Sequence, residues 1–271
     1  MKKVLLFSLS IVLLSFAACG GKAKNKEENK NKNAEEISRY DIQSGKVIPC
    51  DKYWTGKDTL YVTLLGHASL MFEFDEEILY FDPYSQVTDF SVLPKADYIY
   101  ITHEHADHLD TTAIKQIEKE GTKIVAPECT KDILGSKVEF YYTDHTNFSR
   151  HRITGRSVLA YNIINKKPNG EAYHPRGRGV GYVIAFDSLT VYVAGDTENI
   201  PEMDELKGTI DIAFMPKNLP YTMTDEMFID AVKRVEPKVV YPYHMSEFDQ
   251  EKIGKALEGT NVKIEVRPMK N

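Results

Sequence analysis

Thr102-His103-Glu104-His105-Ala106-Asp107-His108 is the stretch that decides how this chain is read. It follows directly on Tyr98-Ile99-Tyr100-Ile101, which has the continuous hydrophobicity of a buried strand. Four potential metal ligands, His103, His105, Asp107 and His108, thus stand within six residues at a strand end. Crowded polar groups cost free energy when buried unless they are satisfied, and a bound cation satisfies them. In extended backbone, residues two apart project to the same side, so His103 and His105 can share one ion. Asp107 and His108, in the turn beyond, can reach a second position. Imidazole and carboxylate suit zinc, manganese or iron. The helical His-Glu-x-x-His spacing of zincins is absent.

Around this stretch lie 271 residues, 42% hydrophobic, enough for one catalytic domain without a second. The formal net charge of -6 gives no electrostatic footprint for nucleic acid, and no nucleic-acid partner is expected. The start of the chain differs in kind. Lys2 and Lys3 precede an apolar run over 4–16 that is too short to span a bilayer as a mature helix. It ends in Ser15-Phe16-Ala17-Ala18-Cys19, which resembles a bacterial lipobox. That resemblance implies a lipoprotein signal peptide over 1–18, cleavage before Cys19 and lipid on that residue. The protein is then expected on a membrane of the bacterial cell envelope, facing the periplasm or the cell exterior. Several acyl chains, at about 0.8 kcal/mol per buried methylene, make a stable anchor. Residues 20–36, rich in Lys, Asn and Glu, cannot bury enough surface to fold. Residues 19–58 therefore read as lipidated cysteine and polar linker, with the globular domain over 59–271. Cys50 and Cys129 read as separate thiols, since neither belongs to a Cys-x-x-Cys pair.

Within the domain, 60–65, 69–74 and 78–81 read as a meander of strands broken at Gly66 and at Asp75-Glu76-Glu77. Strands follow at 98–102, 123–126, 138–142, 157–161, 182–186, 189–194, 210–215, 239–241 and 262–266. Helices are expected from Asp110 or Thr111 to about Glu120, from Thr130, from a Thr224 cap through Val235, and over 249–257. Residues 144–156 are polar and ambiguous, and 165–179 read as a long loop of the kind that carries specificity. No short-period repeat is present. This order fits two sheets in the core with helices outside both.

Thr102 to His108 resembles the T-H-x-H-x-D-H signature of the metallo-β-lactamase superfamily. Gly195-Asp196-Thr197 after a strand, His244 after the strand at 239–241, Gly66-His67-Ala68-Ser69 and Phe81-Asp82-Pro83 arrive in the order that family shows. The resemblance implies an α/β fold, a four-layer αββα sandwich, with two divalent metals, zinc first and manganese or iron next, at one edge between the sheets. It implies His103 and His105 on the first metal, Asp107, His108 and His244 on the second, and Asp196 bridging and sharing the proton handling with Asp107. The family's third histidine for the first metal commonly follows a strand as Ala-x-His, where this chain has Ala160-Tyr161-Asn162. A subgroup carrying a His-Pro-x-Gly loop favours His174, and Asn162 and His145 are the alternatives. His67 is either a residue lining the site or a structural histidine. Asp82 is expected to fix a ligand imidazole. Arg176 and Arg178 are either a clamp for a phosphate or carboxylate or solvated loop arginines. Glu104 is expected to face solvent.

The implied activity is metal-dependent hydrolysis of a small-molecule ester, lactone or phosphodiester. Gly66-His67-Ala68-Ser69 and the short C-terminal half resemble the branch of ascorbate-6-phosphate lactonase-like and N-acyl-phosphatidylethanolamine phospholipase D-like proteins. Two alternatives differ in class: a lipid-anchored binding protein that keeps the metal fold without catalysis, and an iron-dependent redox member.

Overall fold

A computed structural model describes residues 41–42, 46–47, 50–138, 141–142 and 145–269. The expected signal peptide, Cys19 and most of the expected linker lie outside the described residues. Two seven-stranded sheets carry the fold. In the first, strands adjacent in sequence are adjacent in the sheet: β1 (Cys50–Trp54), β2 (Thr59–Gly66), β3 (Ser69–Phe74), β4 (Glu77–Phe81), β5 (Tyr98–Tyr100), β6 (Lys123–Pro127) and β7 (Tyr141–Tyr142). The second has the same plan: β8 (Asn147–Arg150), β9 (Ile153–Ala160), β10 (Gly179–Phe186), β11 (Leu189–Val193), β12 (Ile212–Lys217), β13 (Val239–Met245) and β14 (Lys263–Ile264). In each sheet the first three pairings are antiparallel and the last three parallel.

Parallel neighbours need crossover connections, and these supply the outer layers. Helix α1 (Thr111–Ile117) links β5 to β6, α2 (Lys131–Leu134) lies between β6 and β7, α3 (Asp225–Val235) links β12 to β13, and α4 (Gln250–Ala256) links β13 to β14. Asp110, Thr224 and Asp249 cap α1, α3 and α4 through their side chains, as their residue types favour.

Three apolar clusters define the four layers. Between the sheets, Leu60, Phe72 and Phe81 meet Tyr182, Phe186 and Phe214. Outside the first sheet, Met71, Tyr80 and Ile99 pack on Ala113, Ile114 and Ile117 of α1. Outside the second, Tyr192, Ala213 and Val240 pack on Phe228, Ala231 and Val232 of α3 and on Ile253 of α4. Both faces of each sheet are covered, which is why the central strands read as apolar runs and not as alternations. The molecule is an αββα sandwich, as expected.

Several boundaries differ from the sequence reading. The sheet starts at Cys50, inside the stretch read as linker, because β1 is an edge strand whose Lys52 and Trp54 stay exposed and whose composition is therefore polar. The ambiguous stretch holds the whole of β8 and the start of β9. β5 ends at Tyr100, so His103 and His105 stand in the loop beyond it. β13 continues to Met245 and carries His244 within it.

Candidate metal centre

The site is assembled at one edge of the sandwich, from the connections at strand ends. His67 follows β2, Asp82 follows β4, the 102–108 segment follows β5, Asp196 follows β11, and His174 comes from the β9–β10 loop. Six of the chain's eight histidines and two aspartates have ligand atoms close enough to share cations. They fall into three overlapping sets: His103, His105 and His174; His67, Asp107, His108 and His244; and His103, His108 and Asp196. In each set the ligand atoms lie within 4.8 Å of one another. The remaining histidines are elsewhere on the surface, His145 against Glu205 at 3.2 Å and His151 against Asp75 at 3.3 Å. Of the three alternatives for the first set, it is His174 that stands there. Its Nε2 is 3.2 Å from His105 Nδ1, and His103 Nε2 is 3.0 Å from the same atom.

Asp196 lies between the sets. Its Oδ2 is 3.2 Å from His174 Nε2 and 3.5 Å from His244 Nε2, and its Oδ1 is 3.6 Å from His108 Nε2. Asp107 Oδ2 is 3.6 Å from His244 Nε2, 3.7 Å from His108 Nε2 and 2.8 Å from His67 Nε2.

Outer partners set which imidazole nitrogens face inward. Asp82, fully buried, accepts from the Thr102 backbone N–H at 2.8 Å and the Thr102 hydroxyl at 2.7 Å, and meets His108 Nδ1 at 2.8 Å. Having donated to Asp82, the Thr102 hydroxyl can only accept from His103 Nδ1, 3.0 Å away, which leaves His103 Nε2 with its lone pair toward the centre. The Asn162 carbonyl likewise takes His174 Nδ1–H at 2.7 Å and the His174 backbone N–H at 2.8 Å. Asn162 therefore orients the third histidine and is not itself a ligand. At His244 the sense is reversed: the Asn218 amide nitrogen donates to Nδ1 at 3.1 Å, which places the His244 proton on Nε2, beside Asp107 and Asp196.

The donor set fits a cation on an observation independent of the motif. His108 Nε2 and Asp196 Oδ1, both buried, have no hydrogen-bond partner and face one another. Charges in the cluster are pulled in opposite directions. Burial and the neighbouring His108 hold His103 well below the usual histidine range. Burial also opposes a charge on His108, but Asp196 and Asp82 outweigh it and raise His108 to about 10. Burial likewise opposes the charge on Asp196, yet His244 and His108 hold its carboxyl well below the carboxylate range. Two buried anions that hold a positive charge among imidazoles favour a cation in its place.

The backbone is bent to this end. His67, Asp82 and His244 adopt φ values of 51°, 42° and 42°, the left-handed region that non-glycine residues avoid. At Gly195, φ is 67° and a Cβ would lie 3.0 Å from the Val180 carbonyl oxygen and 3.1 Å from Thr102 Cβ, so only glycine lets Asp196 reach the centre.

Other sequence candidates fall at the rim. Arg178 forms an ion pair with Glu104, and Arg176 pairs with Glu202 at 2.7 Å and lies over the Tyr161 ring. Both guanidinium groups are thus engaged by carboxylates of the chain itself. Glu104, expected to face solvent, is turned onto Arg178 and toward Cys129. Cys50 and Cys129 form no disulfide. The sequence reading missed Glu198, fully buried two positions after Asp196, which accepts from the backbone N–H groups of Ile163, Ile164 and Asn165 and from the Asn162 amide. No motif marks it. Its only sign is an acidic residue next to an otherwise apolar strand end.

Comparison with known proteins agrees with this architecture. Residues 61–244 match the model of the beta-lactamase superfamily domain. A UPF0173 metal-dependent hydrolase of Thermococcus kodakarensis is 32% identical over 190 residues, covering 68% of this chain and 83% of the relative. A crystal structure of a protein from Parabacteroides distasonis, assigned to the metal-dependent hydrolases, is 39% identical with a TM-score of 0.77, covering 82% of this chain and 100% of the other. The metallo hydrolase Igni18 of Ignicoccus hospitalis, at 21% identity and a TM-score of 0.62 over 78% of this chain and 96% of its own, shares the fold. With its two-sheet core and its histidine–aspartate centre, the chain belongs to the beta-lactamase superfamily and, within it, to the metal-dependent hydrolases.

Proposed function

We propose that this hydrolase cleaves an ester, lactone or phosphodiester bond of a small molecule at a centre of two divalent metals. The supporting observation is the placement of Asp196 between His103–His105–His174 on one side and Asp107–His108–His244 on the other, with a carboxylate oxygen toward each. Two ions held there supply Lewis acidity and acidify water to near neutrality, which zinc does well and manganese or iron also do. Asp107 is the carboxylate open to solvent, its side chain 36% exposed against 4% for Asp196. Burial alone would raise its pKa, but His244 and His67 hold it well below the carboxylate range, so it stays an acceptor. It can hold a water by hydrogen bond at the open edge of the centre, while His67 Nε2, 2.8 Å from Oδ2, fixes the carboxylate in place. Asp82, Thr102 and Asn162 fix the imidazoles so that little reorganisation is needed when charge develops.

We also propose attachment to a membrane of the bacterial cell envelope through lipid at Cys19, supported by Ser15-Phe16-Ala17-Ala18-Cys19. Cys19→Ala should then move the protein from the membrane to the soluble fraction.

The test combines metal analysis of the purified protein with turnover of a panel of esters, lactones and phosphodiesters. About two metals per chain, turnover of at least one class and its loss in His103→Ala are expected. One metal and no turnover would instead indicate a binding protein, and an iron-specific visible spectrum with redox turnover would indicate oxidative chemistry.

A further inference from the structure

Seven large hydrophobic side chains stand exposed among the described residues, and four of them, Ile163, Ile164, Leu219 and Tyr221, lie on just two turns. Each turn directly follows an amide that holds a metal-site histidine: Asn162 on His174, then Ile163 and Ile164; Asn218 on His244, then Leu219 and Tyr221. The two turns are joined to one another, Asn162 donating to the Tyr221 carbonyl at 2.9 Å and Asn165 to the Thr222 carbonyl at 2.5 Å. The Tyr221 ring packs edge-on against that of Tyr173, at 5.0 Å, and Tyr173 lines the cavity of His103, His105 and His174. Aromatic contact therefore runs from the metal centre through Tyr173 to the exposed Tyr221, on one of the two joined turns.

That rim is built and not merely left over. The fully buried Glu198 carboxylate accepts the backbone N–H groups of Ile163, Ile164 and Asn165 at 2.8, 2.8 and 2.6 Å, which fixes the turn that presents the two isoleucines to solvent. Rigid exposed apolar side chains beside a catalytic centre carry an unfavourable hydration free energy that a bound apolar group removes. The same cavity also has an ionic part, with Glu104 paired to Arg178.

We propose that Ile163, Ile164, Leu219 and Tyr221 form the recognition surface for an acyl chain carried by the substrate, with the bond to be cleaved held at the metal centre. This rests on the hydrolytic reading above and adds to it the chemical class of the group beside the reacting bond.

Two measurements separate the two ideas. The first is hydrolysis of p-nitrophenyl esters from acetate to decanoate by the metal-loaded protein. The second is calorimetric binding of alkylphosphonates of the same lengths, which need not be cleaved. The variants are Ile164→Ser, Tyr221→Ser and, as control, Ile133→Ser, an exposed apolar residue of α2. For the wild type, kcat/KM and the phosphonate association constant should each rise about two- to fourfold per added methylene over the first several carbons. Ile164→Ser and Tyr221→Ser should flatten that slope through KM, and Ile133→Ser should leave it intact. Binding that tightens with chain length but no turnover of these esters or of the lactones and phosphodiesters of the panel overturns the hydrolytic reading and keeps the rim. Turnover or binding independent of chain length, or a slope that the rim variants leave unchanged, overturns the rim. So does a fall in sedimentation coefficient in the rim variants with an unchanged slope, which would make the patch a contact between copies.

Discussion

Asp82 Oδ2 stands 2.8 Å from His108 Nδ1 while the same carboxylate receives both the backbone N–H and the hydroxyl of Thr102, the residue that in turn holds His103. One buried side chain thus orients a histidine of each metal-ligand set. Asp82→Ala removes the partner of three buried groups at once. Leaving buried donors unsatisfied costs about 1–3 kcal/mol each, so a loss of about 3 kcal/mol or more is expected in urea unfolding. Metal affinity should fall about 10- to 100-fold, the usual effect of removing such a partner. Loss of stability with full retention of both metals would sink the orienting role.

The two asparagines should differ in effect. Asn162 accepts from His174 Nδ1, whereas Asn218 donates to His244 Nδ1. Metal titration of Asn162→Ala should therefore weaken the site of His174 about 10- to 100-fold, whereas Asn218→Ala, which removes a donor from His244 Nδ1 and frees the Nε2 lone pair to face inward, should weaken neither site. Asn162→Asp should be worse than alanine, because a carboxylate would then face the buried Glu198 in place of the amide that donates to it at 3.2 Å. Equal weakening of both sites by either alanine variant would argue against separate ligand sets.

How far the sequence carries can be seen in these same residues. The run from His103 to His108 is legible because its ligands are local, and the strands before it because both faces of a covered sheet must be apolar. The His-Pro-x-Gly loop favours His174 over His145 and Asn162 in the sequence, but that histidine's place beside His105 is visible only in space. It is brought to His105 by a loop whose shape depends on Glu198, and that residue makes its contacts more than thirty positions away in sequence. The role of Asn218 is hidden for the same reason, since His244 lies 26 positions away in sequence. Edge strands such as β1 escape because exposing one face makes their composition that of a linker.

Cys129 should be a slow thiol despite its partial exposure. Burial is the main cause, with Glu104 adding to it, and together they push the thiol up to about 12. At pH 8 only about one thiol in ten thousand is then ionised, and the thiolate is the reactive form. Peptide mapping after iodoacetamide labelling should show little modification at Cys129 until well above pH 9. Glu104→Gln, which removes the negative charge, should shift the labelling profile to lower pH. The stability effect has the sign of a raised acid: it is fully present below pH 9, where the unfolded thiol is also protonated, and is lost as pH rises toward 12. Fast labelling of native protein at pH 7 would contradict this assignment.

Glu198 offers a test of how the site is supported from behind. Its two oxygens accept three backbone N–H groups and one amide, all from the segment 162–165 that also carries Asn162. Glu198→Gln keeps the shape but replaces one acceptor oxygen by an N–H group that meets backbone donors. Donor facing donor in a fully buried position should cost about 2–3 kcal/mol, and Glu198→Ala, which leaves all four donors unmet, should cost more. Because the Asn162 carbonyl fixes His174, the loss should reach the metal centre. Both variants should bind the metal of the His103–His105–His174 set more weakly while the set with Asp107, His108 and His244 is affected less. The measurement is metal titration alongside urea unfolding. If Glu198→Gln matched the wild type in both, the buried carboxylate would have no part in holding the third histidine.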